Sequence, residues 1–296
     1  MKCGTIALIG APNAGKSTLL NRMVGTKLAI VSPKAQTTRS RITGVTVKDN
    51  AQLIFTDVPG VFDTEKRFEK AMVDAAWQAA HGADIILFLF DARKPPNAET
   101  EKFVERVSQS GRPFLLALNK IDDVEDKRIL LERVAWFNER AVWSHIFLIS
   151  ARTGTDVDVL KDTLISMLPE APWMYDEDAL TDVPMRVLAS ELTREQCFLK
   201  LQEEIPYTLT VETEAYESRK DGAINIGQVI IVQNERQKGI VIGKGGAMLK
   251  DIGATAREQI GKMAGTTCHL KLFVKVREDW KDRPDAYHYL GLEFKN

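Results

Sequence analysis

Short apolar runs alternate with amphipathic stretches through the first half of the chain. Ile6-Ala7-Leu8-Ile9, Leu53-Ile54-Phe55, Ile85 to Phe90, Phe114 to Leu118 and Ile146 to Ile149 are brief and rich in Ile, Leu and Phe. They read as buried strands, and Ile85 to Phe90 is apolar on both faces, as in a sheet covered by helices on each side. Thr18 to Val24, the alanine-rich stretch around residues 71–80, Glu99 to Ser108 and Thr155 to Leu168 read as helices, the last with Val157, Leu160 and Leu164 on one side. This order predicts an α/β domain over residues 1–169 with a mostly parallel sheet. Two prolines and an acidic run between Pro169 and Asp178 then break the pattern, so residues 170–183 read as a linker whose Trp173, Met174 and Tyr175 can still pack. Beyond it, Pro184 to Leu201 is helical with Leu188, Leu192 and Leu199 near one face. Tyr207 to Glu214, Ile224 to Val232 and His269 to Val276 read as strands, and Thr255 to Met263 as a helix. That is a smaller α+β domain over residues 184–296.

Composition narrows the class without naming a function. The 296 residues suffice for two cores, and 44% hydrophobic with 27% charged residues excludes a disordered or fibrous chain. A net charge of -1 gives no whole-chain sign of a nucleic-acid partner, so any such signal must be local. Cys3, Cys197 and Cys268 are odd in number and lack a C-x-x-C spacing, which predicts reduced thiols in a cytosolic compartment and no zinc site. The chain opens directly into a strand, without a signal or transit pattern, and its strongest apolar run is far too short to span a bilayer. A cytoplasmic protein is expected, with peripheral contact at the inner membrane surface left open.

The densest chemistry follows the first strand. Gly10-Ala11-Pro12-Asn13-Ala14-Gly15-Lys16-Ser17, with Thr18 opening a helix, fits G-x-x-x-x-G-K-[ST] in a strand-turn-helix context. Glycines let successive N–H groups point inward, and the helix N-terminus adds partial positive charge, so the loop cradles phosphates. Lys16 would reach the β- and γ-phosphates and the Ser17 hydroxyl would bind Mg²⁺. The polar stretch from Ser32 to Arg41 offers Thr37 and Thr38 as further hydroxyls. Asp57-Val58-Pro59-Gly60 ends a strand: Asp57 suits a second Mg²⁺ contact, and Gly60 can turn its N–H toward a γ-phosphate. Asn119-Lys120-Ile121-Asp122 is the base-reading tetrad of GTPases. Asp122 can accept from both N1–H and the amino group of guanine, a donor pair that adenine lacks. Ser150-Ala151-Arg152 closes the series with a backbone N–H for guanine O6. Each element lies where a strand ends, as ligands of open α/β sheets require. A helix is expected to begin near Val124.

These motifs resemble the Era family of ribosome-associated GTPases, on the phosphate loop, Gln36-Thr37-Thr38-Arg39, the turn from Asp57 to Gly60, the Asn119-to-Asp122 tetrad and Ser150-Ala151-Arg152. The resemblance implies a Ras-like P-loop fold, GTP hydrolysis, Mg²⁺ held by Ser17, Thr38 and Asp57, and Thr38 as the switch threonine. Lys16, Thr38 and Gly60 become the candidate catalytic residues. Val58 departs from the Thr more usual in this turn. Val61 occupies the position where Ras-type enzymes carry a water-orienting Gln, so intrinsic hydrolysis is expected to be slow. In related GTPases with an apolar residue there, an Asn at the position of Asn13 helps hold K⁺.

The second half resembles a type II KH domain. Gly243-Lys244-Gly245-Gly246 is a Gly-x-x-Gly turn at a helix junction, where bare backbone admits a nucleic-acid strand and Lys244 neutralises a phosphate. Ile242 and Met248 are candidates for the adjoining apolar groove, with Lys250 nearby. From Asn234 to Arg277 nine basic residues face three acidic ones, a local net charge of +6, whereas Thr181 to Gln233 is net -4. The family implies a monomeric, GTP-controlled assembly factor binding single-stranded sequence near the 3′ end of small-subunit ribosomal RNA. Two other readings stay open: a membrane-surface signalling GTPase whose basic turn meets lipid headgroups, and a P-loop kinase for a small metabolite.

Overall fold

At the centre of the larger sheet lies β1 (Lys2–Ile9), paired in parallel with both β3 (Ala51–Asp57) and β4 (Ile85–Asp91). This computed structural model describes residues 1–32, 34, 37–39, 41–60, 64, 66–284, 287 and 292–294. With β2 (Ile42–Lys48), β5 (Phe114–Asn119) and β6 (Ile146–Ile149), the strands run β2-β3-β1-β4-β5-β6, all parallel except β2. The interior strands β3 and β4 are buried at every residue, which explains their unbroken apolar runs. The antiparallel β2 escaped the apolar-run criterion because its last three residues are only half-buried. A tight turn joins it to β3 at Asp49 and Asn50, whose φ values of 50° and 60° suit the twist of a hairpin.

The helices α1 (Lys16–Val24), α2 (Arg67–Gly82), α3 (Ala98–Ser108), α4 (Arg128–Asn138) and α5 (Val157–Met167) follow β1, β3, β4, β5 and β6. On one side of the sheet Phe88 stacks on Phe103 at 4.7 Å between ring centroids, and Phe137 and Trp143 complete an aromatic cluster. The helix expected near Val124 begins at Arg128. A 3₁₀ turn over Ile121–Asp123 comes first, entered through Lys120 at φ 68°, and it presents Asp122 at the strand end.

The second sheet is β7 (Thr210–Ser218), β8 (Ile224–Val232) and β9 (Cys268–Val276), in that order, with β7 antiparallel and β9 parallel to β8. Around it stand α6 (Met185–Lys200), the short α7 (Ile205–Thr208), α8 (Glu235–Ile242) and α9 (Ala247–Ala264). α6 is buried on nearly all sides from Leu188 to Phe198, including Glu191, Thr193, Arg194 and Glu195. Thr193 donates to Gln228 at 2.6 Å, and Gln228 donates to Thr213 at 3.2 Å, so these three buried polar side chains pair with one another. Leu199 does not share the face of Leu188 and Leu192: it sits in the last turn of α6 and is 50% exposed.

By internal contacts the chain forms two compact units. One comprises residues 1–29, 38–182 and 288–296, the other residues 30–37 and 183–287. Much of the segment expected as a linker lies along β2 and β3 within the first unit. The Gln52 amide bonds Met174 and Tyr175 backbone, Leu180 O accepts from Val45 N at 2.8 Å, and Thr181 donates to Thr43 O at 2.6 Å.

Candidate nucleotide site and nucleic-acid interface

The phosphate loop spans the turn from β1 into α1. Gly15 has φ 101°, and a Cβ there would lie 2.2 Å from the Asn119 amide nitrogen, so glycine is needed both for backbone angle and for space. Lys16 is buried at the start of α1, and its ammonium donates to Gly10 O and Ala11 O at 3.1 Å each. Burial pushes its pKa down to about 8, against the pull of the Asp57 carboxylate. The head group is therefore held inside the loop by those two carbonyls.

Ser17, Thr38 and Asp57 converge. The Ser17 hydroxyl donates to Asp57 Oδ2 at 2.6 Å and lies 2.9 Å from Thr38 Oγ1, which in turn is 3.4 Å from the same oxygen. Asp57 is fully buried and its Oδ1 has no hydrogen-bond partner among the described residues. Burial raises its pKa to about 6, even with Lys16, Ser17 and Thr38 drawing it down. An orphaned carboxylate oxygen beside two hydroxyls is a donor set suited to a hard divalent cation. Residues Ser17, Thr38 and Asp57 thus fit Mg²⁺. Gly60 packs on the phosphate loop so closely that a Cβ would meet Pro12 N at 2.6 Å. Val58 is buried behind this turn, followed by buried Pro59. Val61 and Gln36 lie outside the described residues.

The base-reading elements are fastened to the phosphate loop. Asn119, buried at the end of β5, donates from Nδ2 to Ala14 O at 2.8 Å and accepts from Ala151 N at 2.9 Å. Lys120 donates to Asn13 O at 2.5 Å and to Asp91 Oδ2 at 2.9 Å. Asn13 itself takes the left-handed conformation, φ 64°. Burial would raise the Asp122 carboxyl, yet the Ser150 hydroxyl, a backbone N–H and the Arg152 guanidinium together hold it below the ordinary carboxylate range. Arg152 forms ion pairs with both Asp122 and Asp123. An ionised acceptor is what a guanine edge with two donors requires.

Two residues were missed in the sequence. Asp91 ends β4 as Asp57 ends β3, and it fixes Lys120; burial opposes its ionisation, but Arg93 and Lys120 outweigh that and lower its pKa. Its place at a strand's carboxyl end was the available signal. Arg22, in the last turn of α1, holds the Ser150-to-Arg152 loop by donating to Ala151 O at 2.7 Å and Arg152 O at 2.5 Å. No local pattern reveals that contact.

In the second unit, α8 ends at Ile242 and α9 begins at Ala247, with Gly243, Gly245 and Gly246 at φ 72°, 60° and 80°. A Cβ on Gly243 would lie 2.7 Å from Met248 Cβ, whereas one on Gly245 or Gly246 would meet open space. The turn therefore exposes bare backbone beside the exposed Lys244, and Lys250 is exposed one turn into α9. Ile242 is half-buried, and Met248 packs against the core cluster around Val241 and Ile252, so it lines the base of the turn.

A six-stranded sheet with one antiparallel edge strand, a phosphate loop after β1 and the Asn-Lys-x-Asp tetrad after β5 define a Ras-like GTPase domain, and the second unit is a KH domain. Residues 5–120 match the family model described as a 50S ribosome-binding GTPase, and residues 204–281 match the KH domain model. GTPase Era of Bradyrhizobium diazoefficiens is 47% identical over 99% of this chain and 95% of its own, and that of Sinorhizobium medicae 46% over 99% and 94%. A crystal structure of Era with MgGDPNP and nucleotides 1506–1542 of 16S ribosomal RNA superposes with a TM-score of 0.94 at 36% identity, covering 98% of this chain and 99% of that one. An Aquifex aeolicus Era variant bound to GDP·AlF4⁻ matches with the same TM-score, 0.94, identity and coverage. The chain belongs to the GTPase Era family and is a GTPase. Among the described residues no helix is long and apolar enough to cross a membrane.

Proposed function

We propose that this chain is a GTP-controlled assembly factor for the small ribosomal subunit. Its KH domain binds single-stranded sequence near the 3′ end of 16S-type ribosomal RNA, and the guanine nucleotide governs that grip. The observation that carries the reading is the relative of matching fold over 98% of this chain that holds both MgGDPNP and a 16S fragment. The open glycine turn beside Lys244, in a segment of net charge +6, supports the same ligand.

Within this reading Lys16 binds the β- and γ-phosphates, while Ser17, Thr38 and Asp57 hold Mg²⁺. The bound cation neutralises charge on the phosphate oxygens. The Gly60 N–H faces the γ-phosphate, Asp122 accepts from the guanine edge, and a backbone N–H of Ser150-Ala151-Arg152 meets O6. Because the Val61 side chain offers no hydrogen bond, the attacking water is oriented by backbone, another residue or a partner, and intrinsic hydrolysis is slow. Asn13 is proposed to help hold K⁺ beside the phosphates; hydrolysis in K⁺ should then exceed that in Na⁺ at equal ionic strength.

The test is RNA affinity with GDP against a non-hydrolysable GTP analogue, using a 16S 3′-end oligonucleotide. Different affinities in the two states support nucleotide control; equal affinities refute it. Binding to anionic vesicles but not to RNA would favour a membrane-surface signalling GTPase instead.

A further inference from the structure

Helix α1 carries site residues at both of its ends. Lys16 and Ser17 stand in its first turn, beside the phosphate loop, and Arg22 stands in its last turn, ~7.5 Å beyond Ser17 along the axis. Arg22 donates from Nε to Ala151 O at 2.7 Å and from Nη2 to Arg152 O at 2.5 Å, so one planar fork takes two consecutive carbonyls. The loop from Ser150 to Thr155 closes around that fork. Gly154 N donates to Ser150 O at 2.8 Å and Thr153 N to Ser150 Oγ at 3.0 Å, and a Cβ on Gly154 would lie 3.1 Å from Arg22 Nη1. All of these residues belong to the first compact unit.

The other peptides of this loop have their own anchors. Ser150 N donates to Thr155 O at 3.1 Å, and Ala151 N to Asn119 Oδ1 at 2.9 Å. Among the described residues, Arg22 alone hydrogen-bonds the peptide between Ala151 and Arg152. A trans peptide is planar, and its C=O and N–H point in opposite directions. Holding Ala151 O therefore turns the Arg152 N–H away from Arg22. The Arg152 side chain is fixed as well, by ion pairs to Asp122 and Asp123. Residue 152 thus adjoins the carboxylate that accepts from the N1–H and amino edge of guanine. We propose that Arg22 is a positioning residue for base specificity: its hold on the Ala151 carbonyl aims the Arg152 N–H at guanine O6. Because Ser17 and Arg22 share one short helix, α1 also sets the metal end and the base end of the nucleotide site in register.

This rests on the reading that a backbone N–H of Ser150-Ala151-Arg152 meets O6. The test measures the affinity of the full chain for three nucleotides, by competition against ribose-labelled fluorescent GDP. GDP and inosine diphosphate both keep O6 and N1–H. The diphosphate of 2-aminopurine riboside keeps the amino group and lacks O6; it also lacks N1–H, a loss that parent and variant share. Arg22 is exposed on α1, so Arg22→Met removes no core packing. It is expected to weaken GDP and inosine diphosphate about tenfold each, the scale of one lost hydrogen bond in a dry site, and to leave the 2-aminopurine nucleotide within about twofold of the parent. Arg22→Lys keeps the charge at the end of α1 without the fork and should not rescue. If Arg22→Met does not fold, Arg22→Lys carries the test alone. Equal losses on all three nucleotides, or no loss on any, overturn the inference. A parent chain that binds the 2-aminopurine nucleotide as tightly as GDP overturns the O6 reading and the inference together.

Discussion

Asn119→Ala should damage the nucleotide domain far more than the loss of one surface amide would. The Asn119 side chain joins two loops: it donates to Ala14 O at 2.8 Å and accepts from Ala151 N at 2.9 Å. Asn119, Ala14 and Ala151 are 1%, 2% and 1% exposed, so water cannot take the place of the lost amide. Each buried group left unsatisfied costs ~1–3 kcal/mol, so the pair predicts a loss of about 2–6 kcal/mol. That is a large share of the ~5–15 kcal/mol that stabilises a typical domain. Denaturant unfolding of the nucleotide-free protein measures the loss, and calorimetry with GDP measures its effect on binding. Affinity should fall at least tenfold, since both the phosphate loop and the Ser150-to-Arg152 loop lose their brace. Asn119→Asp keeps the acceptor for Ala151 N but sets an oxygen against Ala14 O, and it should not rescue. A variant within about 0.5 kcal/mol of the parent, with unchanged GDP affinity, would refute the brace.

Further tests address other parts of the molecule. Gly60→Ala places a methyl 2.6 Å from Pro12 N and 2.7 Å from Pro12 Cα, backbone atoms that cannot swing away. A displacement of this size should slow single-turnover GTP hydrolysis about a hundredfold. Lys244→Glu should weaken binding of a 16S 3′-end oligonucleotide and reduce the slope of log affinity against log salt by about one, with GTP affinity unchanged in calorimetry. Burial pushes the Cys197 thiol up to about 12, which leaves a thiolate fraction on the order of 10⁻⁵ at neutral pH. Ellman's reagent should therefore not label Cys197 in the folded protein and should label it promptly in denaturant; labelling of the native chain at Cys197 would contradict its burial.

Local pattern determined much of this protein. Four strands of the main sheet, β1, β3, β4 and β5, are readable because interior strands covered on both faces are mostly apolar, as β4 shows from Ile85 to Phe90, and the edge strand β6 is readable as a short apolar run. The phosphate loop, the Asp57 turn, the Asn119-to-Asp122 tetrad and the Gly243-to-Gly246 turn are readable because each packs its chemistry into a few consecutive residues. What the tertiary structure decided is what long-range contact alone can set. Asp91 and Arg22 serve the site through partners 29 and 129 residues away, respectively; the strand end marks Asp91 as a candidate without naming its partner, and nothing adjacent to Arg22 in sequence encodes its contact. The hairpin strand β2 lies at a sheet edge, where burial of one end only weakens the periodic signal. The near-total burial of α6, with Glu191 and Arg194 inside, contradicts what its charged residues suggest by themselves. One of the acceptors of α6, the Thr37 carbonyl that takes a hydrogen bond from Arg194, lies more than 150 residues earlier in the chain. Helical and strand periodicity record which face of an element is covered; they do not record which distant residue covers it.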